Sequence, residues 1–469
     1  MRQNTTLAKN GISILENFKS FISEEKHENY RLVVISAEPD NNKLFHTAQR
    51  VSDEAKKSGH KVYVVRVEGA IISYDGGYKI YNSGDENGFE LNRDTVAIVR
   101  GSVRLKKSYL DLLSQLEKIG VCMVNSRETV EISADKYRTY LKLQDYGLTQ
   151  PKTVLIPNAD TLEQSLKSLD SKFPIIMKTL EGSKGVGVLF IESERQIESL
   201  VQLLHSQNKD VDLLIQEYIK TDGDIRVIVL GGKVIASMKR DVVEGDFRSN
   251  VSQGAKVKEY KLTELEIEQC LLAAKAIDGS WTAVDFIPSK NPKTEPPYIL
   301  EVNHSPGTEG IEEATGKNIV KEVIDHYANP DNRYAVPTQC GWEEIVTVKP
   351  FGDLIAKFDT GNARYPVLHA EDIEVKGDRI TFTNGEKTIT TKLVGDYVSI
   401  TGGGEDERYL IELEFEFAGT SYGKITFGLD NRDAFNTDVL LNRKTMRMLN
   451  VMVNPRRKYI VTTKFTLDK

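Results

Sequence analysis

The segment IIMKTLEGSKGVGVLFI, residues 175–191, places a glycine-rich loop between two apolar strands. Its glycines let backbone N–H groups approach phosphate oxygens, and Lys184 adds positive charge. A flexible hairpin that binds no ligand is an equally weighted alternative to a phosphate-binding loop. The pattern excludes a P-loop, which needs Gly-Lys-Ser/Thr, and a dinucleotide fold, in which a helix follows the loop. A protein kinase is also excluded, because its lysine follows the loop whereas Lys178 precedes it.

Two lysines outside the loop are further candidates for binding phosphate. Lys178 ends the strand four residues before Gly182, so its ammonium group can reach a phosphate held by the loop. Lys136 begins a helix with Ser133 as its expected N-cap, and a cation there opposes the helix dipole. A surface lysine is the alternative for each.

The segment YILEVNHSPGTEG, residues 298–310, carries the second candidate site. Glu301 and Asn303 point to one face of a strand, and a hairpin brings Asp285 from the preceding strand beside them. Oxygen ligands without cysteine favour Mg²⁺ or Mn²⁺ over zinc, and one bridging carboxylate can serve two ions. His304 points to the other face and is expected to be structural. A salt-bridged surface cluster has the lower weight, because an unpaired buried Asp285 is costly.

Arginines form the third component of this region. Arg226, Arg240 and Arg248 lie between the glycine loop and the acidic cluster, with Asn250 close behind. Guanidinium groups bind carboxylates and phosphates with two parallel hydrogen bonds. Each arginine alone is more simply a solvated residue, but together they indicate a site for Mg-ATP and a carboxylate.

Composition limits the class of protein. The 469 residues predict two to four domains, and 62 Lys+Arg against 69 Asp+Glu give a net charge of −7, which argues against coating of bulk nucleic acid. The three cysteines, Cys122, Cys270 and Cys340, lie far apart, as in a reduced cytoplasmic protein. The first residues lack the apolar region of a signal peptide, and no run of 18 apolar residues predicts a membrane span.

Five segments follow from the pattern of strands and helices. Residues 1–30 form a polar N-terminal extension, and residues 31–127 alternate strands with helices, which predicts a small parallel α/β domain. Residues 128–330 predict a mixed, mostly antiparallel α+β domain. Residues 331–341 predict a linker, and the short strands of residues 342–469 predict a small all-β barrel.

From about residue 95 to 330 the chain resembles the ATP-grasp enzymes, specifically the ribosomal-protein glutamate ligases of the RimK type. The motifs that carry the resemblance are ADKYRTYLKLQDYGLTQPKT, IIMKTLEGSKGVGV, LLIQEYIKTDGDIRVIVLGGKVIASMKRDVVEGDFRSNVSQG and LEVNHSPGTEGIEEATG. The resemblance implies an ADP-forming ligase that phosphorylates a carboxylate to an acyl phosphate, which an amine attacks to form an amide. Positioning and charge neutralisation supply most of such catalysis. It also implies glutamate or a similar amino acid as substrate, a protein or peptide C-terminus as acceptor, and a homo-oligomer.

The resemblance assigns the nucleotide site residue by residue. Lys136 and Lys178 would bind the phosphates of ATP, with the covering loop formed by Gly182, Ser183, Lys184, Gly185 and Gly187. The adenine hinge would be Glu217, Tyr218 and Ile219, and Asp224 would lie near the ribose.

The resemblance also assigns the reacting groups. Arg240, Arg248 and Asn250 would contact the phosphate and the reacting atoms. Substrate binding would involve Arg226, Arg240, Arg248 and Ser305. Two magnesium or manganese ions would be held by Asp285, Glu301 and Asn303.

The C-terminal region resembles the retropepsin-like domain that is often called an ATP-dependent zinc protease domain. The motifs are AKFDTGNARYPVLHA and DVLLNRKTMRMLNVMVNP. One copy supplies only Asp359 to an aspartic dyad, so peptidase activity would require dimerisation. Zinc is poorly supported, because His369 is the only histidine after residue 326. Two interpretations stay open for this barrel: a peptidase that acts after ligation, and a non-catalytic module that binds the target of the ligase.

Overall fold

The computed structural model describes residues 29–36, 46–75, 77–92, 94–101, 107–170, 172–180, 187–207, 212–242, 256–333, 335–401 and 404–462. The chain divides into two compact units, Met1–Ala335 and Val336–Lys469. Among the described residues, no helix combines the length and the apolar character needed to cross a membrane.

The first unit begins with a parallel sheet, as the alternation of strands and helices predicts. Its elements are β1 (Arg31–Ser36), α1 (His46–Lys57), β2 (Lys61–Arg66), β3 (Ile71–Tyr74), β4 (Tyr78–Tyr81), β5 (Phe89–Leu91), β6 (Thr95–Arg100), α2 (Lys107–Ile119) and β7 (Cys122–Val124). The strand order is β2-β1-β6-β7 with all pairs parallel, and β3-β4-β5 form a separate antiparallel sheet. Both faces are buried: Leu32 packs into one apolar cluster and Val33 into another.

Two short helices, α3 (Arg127–Ala134) and α4 (Lys136–Asp145), follow. Ser126 caps α3, and the carboxylate of Asp135 caps α4 by accepting from the N–H groups of Tyr137 and Arg138 at 2.8 and 2.9 Å. The prediction that Ser133 is the N-cap is therefore wrong. Ser133 lies inside α3, because the chain becomes extended only at Asp135.

The next elements form an antiparallel sheet around the glycine loop. They are β8 (Thr153–Ile156), α5 (Leu162–Ser168), β9 (Ile175–Thr179), β10 (Val188–Ile191), α6 (Glu194–Gln207) and β11 (Leu213–Glu217). The strand order is β10-β9-β11-β8. β9 and β10 are the two strands that the sequence predicts on either side of the loop, and they pair with Lys178 opposite Val188.

A five-stranded antiparallel sheet holds the acidic residues. Its elements, with the adjoining helices, are β12 (Gly223–Leu230), β13 (Lys233–Asp241), β14 (Val257–Glu259), α7 (Glu264–Ala276), β15 (Trp281–Ile287), β16 (Tyr298–Asn303), α8 (Glu309–Thr315) and α9 (Ile319–Ala328). The order is β14-β13-β12-β15-β16. Gly231 and Gly232, both with positive φ, turn the predicted hairpin. One face packs its apolar side chains against α7.

The second unit contains a closed six-stranded barrel. Its elements are β17 (Thr338–Gly341), β18 (Glu343–Val348), β19 (Gly352–Phe358), β20 (Val367–His369), β21 (Glu371–Lys376), β22 (Arg379–Asn384), β23 (Lys387–Lys392), β24 (Gly395–Thr401), β25 (Gly404–Phe417), β26 (Thr420–Asp430), β27 (Val439–Leu441), α10 (Arg443–Leu449) and β28 (Val451–Asn454). The circuit β18-β19-β27-β20-β26-β25 closes through the pairing of β25 with β18, and β24 adds to β25. Phe382, Phe415 and Phe427 fill the core.

Two details of this unit differ from the sequence prediction. Part of the predicted linker forms β17, which pairs in parallel with β28. Within the region where the sequence predicts short strands, the segment KYIVTTKF, residues 458–465, is not a strand over its described residues. Its backbone N–H groups instead bind Glu344, a buried carboxylate that accepts from Ile460, Val461 and Thr462 at 2.8, 3.1 and 2.9 Å.

Candidate active site

One face of the five-stranded sheet gathers charged side chains from four neighbouring strands. In the register of the sheet, Arg240 lies opposite Asp224, Arg226 opposite Asp285, and Asp285 opposite Glu301. Because side chains on one strand alternate, these residues all point to the same side. The sheet therefore assembles the predicted acidic cluster and two of the predicted arginines in one place.

Asp285 is a buried carboxylate that pairs with two arginines. It is 2% exposed and receives Arg226 Nε and Nη2 at 2.8 and 2.6 Å, and Arg240 Nη2 at 2.9 Å. Burial raises the pKa of Asp285, but the two arginines lower it more, so its pKa lies well below the usual range. The expectation that Asp285 is unpaired unless it binds a metal is wrong, because the cross-strand arginines already compensate its charge.

Arg240 links two acidic residues. It is 3% exposed, and it donates to Asp224 through Nε and Nη2 at 2.7 and 2.6 Å. Asp224, the residue assigned to the ribose, is thus held in a bidentate ion pair. Asp285 holds Arg226, and Asp224 and Asp285 together hold Arg240, which pre-organises the remaining N–H groups of both arginines.

Glu301 and Asn303 form the partly buried part of the cluster. The Asn303 Nδ2 donates to Glu301 Oε1 at 3.0 Å, which leaves the amide oxygen of Asn303 as an acceptor. Together with Asp285 they present carboxylate and amide oxygens only, a donor set that suits magnesium. An ionised carboxylate has about four acceptor positions, so the three arginine contacts of Asp285 do not exhaust it. The residues fit a hard divalent cation.

The two lysines lie next to this cluster. Lys178 Nζ donates to Gln216 Oε1 at 2.6 Å, and Lys136 Nζ donates to the carbonyl of Leu180 at 3.2 Å. Both lysines line a narrow cavity together with Glu301. Burial lowers the pKa of Lys178 to about 8; Glu301 opposes this shift and Lys136 adds to it.

All three hinge residues are described, whereas Gly187 is the only described residue of the predicted loop. Glu217 ends β11, where its N–H donates to the carbonyl of Lys152 at 2.8 Å. Tyr218 packs edge-on against Phe190, and no contact of Ile219 bears on its assigned role. Gly187 has φ of 79°, and a Cβ there would collide with the side chain of Thr179. The other predicted residues, Gly182, Ser183, Lys184, Gly185, Arg248 and Asn250, lie outside the described residues.

The turn after the acidic strand is held by the parallel-sheet part of the unit. Ser305, assigned to substrate, accepts from the N–H of Gly101 at 2.9 Å, and the buried Arg100 donates to the carbonyl of Pro306. Arg50 pairs with Glu312, with Nη2 and Oε1 at 3.0 Å. The turn therefore has a fixed position relative to β6.

Sequence reasoning missed Asn125, the most connected buried amide of this region. Its Nδ2 donates to the carbonyls of Trp281 and His304 at 2.8 Å each, and its Oδ1 accepts from the N–H groups of Ser280 and Trp281 at 2.7 and 3.0 Å. His304 lies 2.7 Å from the Ser133 hydroxyl through Nδ1, and burial lowers its pKa to about 4. His304 is thus a neutral structural residue that ties β16 to α3. Only a lone Asn after a buried strand marked this position in the sequence.

Asp359, the predicted peptidase residue, lies just after β19 in the second unit. Its Oδ1 accepts from the N–H of Gly361 at 2.8 Å, and its own N–H donates to the carbonyl of Leu441 at 3.2 Å. These bonds define a tight turn around Asp-Thr-Gly. They do not by themselves assign a catalytic role to Asp359.

Comparison with known proteins gives consistent matches for the first unit. Residues 133–327 match the model of the RimK-like ATP-grasp domain. A probable alpha-L-glutamate ligase of Psychromonas ingrahamii is 31% identical over 297 residues, which cover 63% of this chain and 94% of that protein. A probable alpha-L-glutamate ligase of Pseudoalteromonas translucida is 34% identical over 288 residues, covering 61% of this chain and 92% of that protein.

Among solved structures, the ATP-grasp ligase PsnB, in a complex with a variant precursor, Mg and ADP, superposes with a TM-score of 0.50. It is 18% identical and covers 66% of this chain and 100% of PsnB, a likeness that concerns the fold alone. The sequence matches, which span nearly the whole length of both curated relatives, settle the family. This chain belongs to the RimK-like ATP-grasp ligases, which use ATP and magnesium, and it is an ADP-forming amino-acid or peptide ligase.

Proposed function

We propose that this protein joins glutamate, or a similar acidic amino acid, to the C-terminus of a protein or peptide through an acyl phosphate. The observation that carries the proposal is the adjacency of two lysines, an all-oxygen cluster and two fixed arginines. Lys178 and Glu301 line the same cavity, and Glu301 lies opposite Asp285 in the sheet. This arrangement suits ATP phosphates at one end and carboxylates at the other.

In this proposal the nucleotide phosphates lie against Lys136 and Lys178. Asp285, Glu301 and Asn303 would hold magnesium, which neutralises phosphate charge as the phosphoryl group moves. The ammonium group of Lys178 is held by Gln216, so it is oriented before nucleotide binds. That fixed orientation reduces the reorganisation needed during reaction.

Arg226 and Arg240 supply the positive charge for the reacting carboxylates. Their carboxylate partners fix both side chains in the sheet, at 2.6–2.9 Å. Phosphorylation of the acceptor carboxylate gives the acyl phosphate, and the amino group of the incoming amino acid attacks it and displaces phosphate. The names of the curated relatives, probable alpha-L-glutamate ligases, support glutamate as that amino acid.

The proposal also includes the roles that the family resemblance implies for Arg248, Asn250, Ser305 and the hinge Glu217–Ile219. It includes, on the same ground, manganese as a substitute ion, the use of two ions, a homo-oligomer and a cytoplasmic location. The retropepsin-like assignment of the second unit, with Asp359 as a peptidase residue, also stays a prediction.

The test is amino-acid-dependent release of ADP. The full chain is incubated with Mg-ATP, one amino acid and a panel of peptides with different C-termini, while ADP is measured by a coupled assay and peptide mass by mass spectrometry. The proposal predicts ADP release with glutamate and a mass increase of one or more glutamate residues. Release that is equal with glutamate and lysine, or a mass increase away from the C-terminus, would refute this assignment.

A further inference from the structure

A second site lies in the C-terminal unit, in a pocket of about 440 Å³ beside β20. This volume is in the range of pockets that bind small ligands or side chains. Phe351 and Leu354 form an apolar wall, and His369, Asn384 and several carboxylates form the rest. His369 is the only histidine after residue 326, and the sequence pattern alone assigns no role to it.

His369 is held rigidly and is only 8% exposed. Its Nδ1 accepts from the N–H of Arg432 at 3.0 Å, and its backbone N–H donates to the carbonyl of Asp438 at 2.8 Å. Because Nδ1 is an acceptor, the proton of the neutral ring lies on Nε2. A metal ion at Nε2 would require loss of that proton, so His369 is unsuited to be a metal ligand, although Glu371 and Asp433 lie near it.

Two buried polar side chains, His369 and Asn384, each direct one polar atom toward the pocket. His369 Nε2 lies 3.6 Å from Asp433 Oδ1, beyond hydrogen-bond distance. Asn384 is 7% exposed; its Nδ2 donates to the carbonyl of His369 at 2.9 Å, and its Oδ1 makes no hydrogen bond within the described part of the chain. The pocket therefore offers one donor and one acceptor from fixed side chains, as a ligand site does.

The charge of the pocket is strongly negative. Besides His369, its ionisable lining groups are the carboxylates of Glu371, Glu386, Asp433 and Asp438, and the ammonium group of Lys387. Lys387 Nζ donates to the carbonyls of Pro350 and Phe351 at 3.0 and 3.2 Å, so it is turned to the backbone.

Two of these carboxylates lie against each other. Hydrogen bonding between Glu371 and Asp433 raises the pKa of Glu371, as it does when two acids compete for one proton. A cation placed between these acids would relieve their repulsion.

We propose that this pocket binds a basic side chain of a polypeptide, with its cationic head between Glu371 and Asp433. The methylene groups of an arginine or lysine match the wall of Phe351 and Leu354. The backbone next to that side chain supplies both an acceptor for His369 Nε2–H and a donor for Asn384 Oδ1, which a bare ion lacks. The second unit is then a binding module for a basic segment, an activity separate from ligation.

The test uses the full chain and fluorescent pentapeptides that differ only in a central arginine, lysine or citrulline. Fluorescence anisotropy is measured without ATP or amino acid, so a failure of the ligase proposal does not affect the result. The arginine and lysine peptides should bind, and the neutral citrulline peptide should bind roughly fivefold more weakly, since it loses ion pairs with carboxylates that are open to solvent.

The paired variant Glu371→Gln/Asp433→Asn should remove the preference for the charged peptides. Glu374→Gln is the matched control, because Glu374 lies on the same strand but outside the pocket and pairs with Lys376 at 2.8 Å. Unchanged melting temperatures confirm that the variants fold. Equal binding of arginine and citrulline peptides, absence of binding, or arginine binding that survives the paired variant would each overturn the proposal. Stoichiometric binding of Zn²⁺ or Mn²⁺ alone that is lost on His369→Asn would do the same.

Discussion

Lys178 should make nucleotide affinity depend on pH in a range where most lysines do not titrate. The ammonium group is enclosed beside Glu301 and Lys136, and burial lowers its pKa to about 8. Bound phosphate favours the charged form, so binding requires the protonated lysine. Below pH 8 the proton is already present and affinity is level. Above pH 8 a proton must be taken up on binding, and affinity falls.

The size of this effect follows from the pKa. Each pH unit above the pKa of the free protein adds a factor of about ten to the dissociation constant, or ~1.4 kcal/mol. Between pH 7 and 9.5 the dissociation constant of ADP should therefore rise roughly 30-fold. Replacing Lys178 by Arg keeps a positive charge over the whole range, because guanidinium does not lose its proton.

Calorimetric titration of ADP at fixed Mg²⁺, between pH 7 and 9.5, measures this directly. The Lys178→Arg protein should have a nearly level profile, and the Lys178→Met protein should bind weakly at every pH. A change of less than about threefold in the unmodified protein would contradict the proposed role. An equally steep fall in the Lys178→Arg protein would show that another group is responsible.

Four further changes test the site and the barrel. Glu301→Gln should abolish ADP release with little change in melting temperature, because Glu301 is only partly buried and its one hydrogen bond among the described residues comes from Asn303. Asp285→Asn should also abolish release, but it should destabilise the fold by about 3 kcal/mol, since the partly buried Arg226 loses its carboxylate partner and the buried Arg240 keeps only Asp224. Asn125→Ala should lower the free energy of unfolding by at least about 3 kcal/mol in denaturant titration, because four buried backbone groups lose their hydrogen bonds, and an unchanged midpoint would contradict this. Glu344→Gln should destabilise the second unit by about 2–4 kcal/mol, visible in calorimetry as a lowered transition, whereas Glu374→Gln should leave it unchanged.

The sequence predicted those parts of the site that depend on local pattern. Alternation along one strand placed Glu301 and Asn303 on the same face, and a short connection placed Asp285 beside them. Likewise, an apolar segment on each side of the glycines predicted the two strands that flank the loop, and these strands pair with each other. In each case the partners are neighbours in one strand or in consecutive strands.

Contacts between strands that are distant in sequence could not be predicted in this way. Arg226 and Asp285 are 59 residues apart and meet because β12 lies between β13 and β15, an order that periodicity does not encode. Asn125 binds residues more than 150 positions away, and an asparagine after a strand is typical of any turn. The pocket at His369 likewise combines strands that meet only once the barrel closes.

One face of the five-stranded sheet is apolar over one half and charged over the other. This division sets the position of the acidic cluster relative to the rest of the first unit. Toward one end of β15, Trp281 and Ala283 join the same apolar cluster as Leu32 of β1. Two residues farther, Asp285 begins the charged half. The apolar cluster that β15 shares with the parallel sheet is closely packed, so β15 cannot easily shift relative to that sheet. The charged half of the face therefore starts where this cluster ends. A substitution that shortens the side chain of Trp281 should therefore lower ligase activity, although it changes no charged residue.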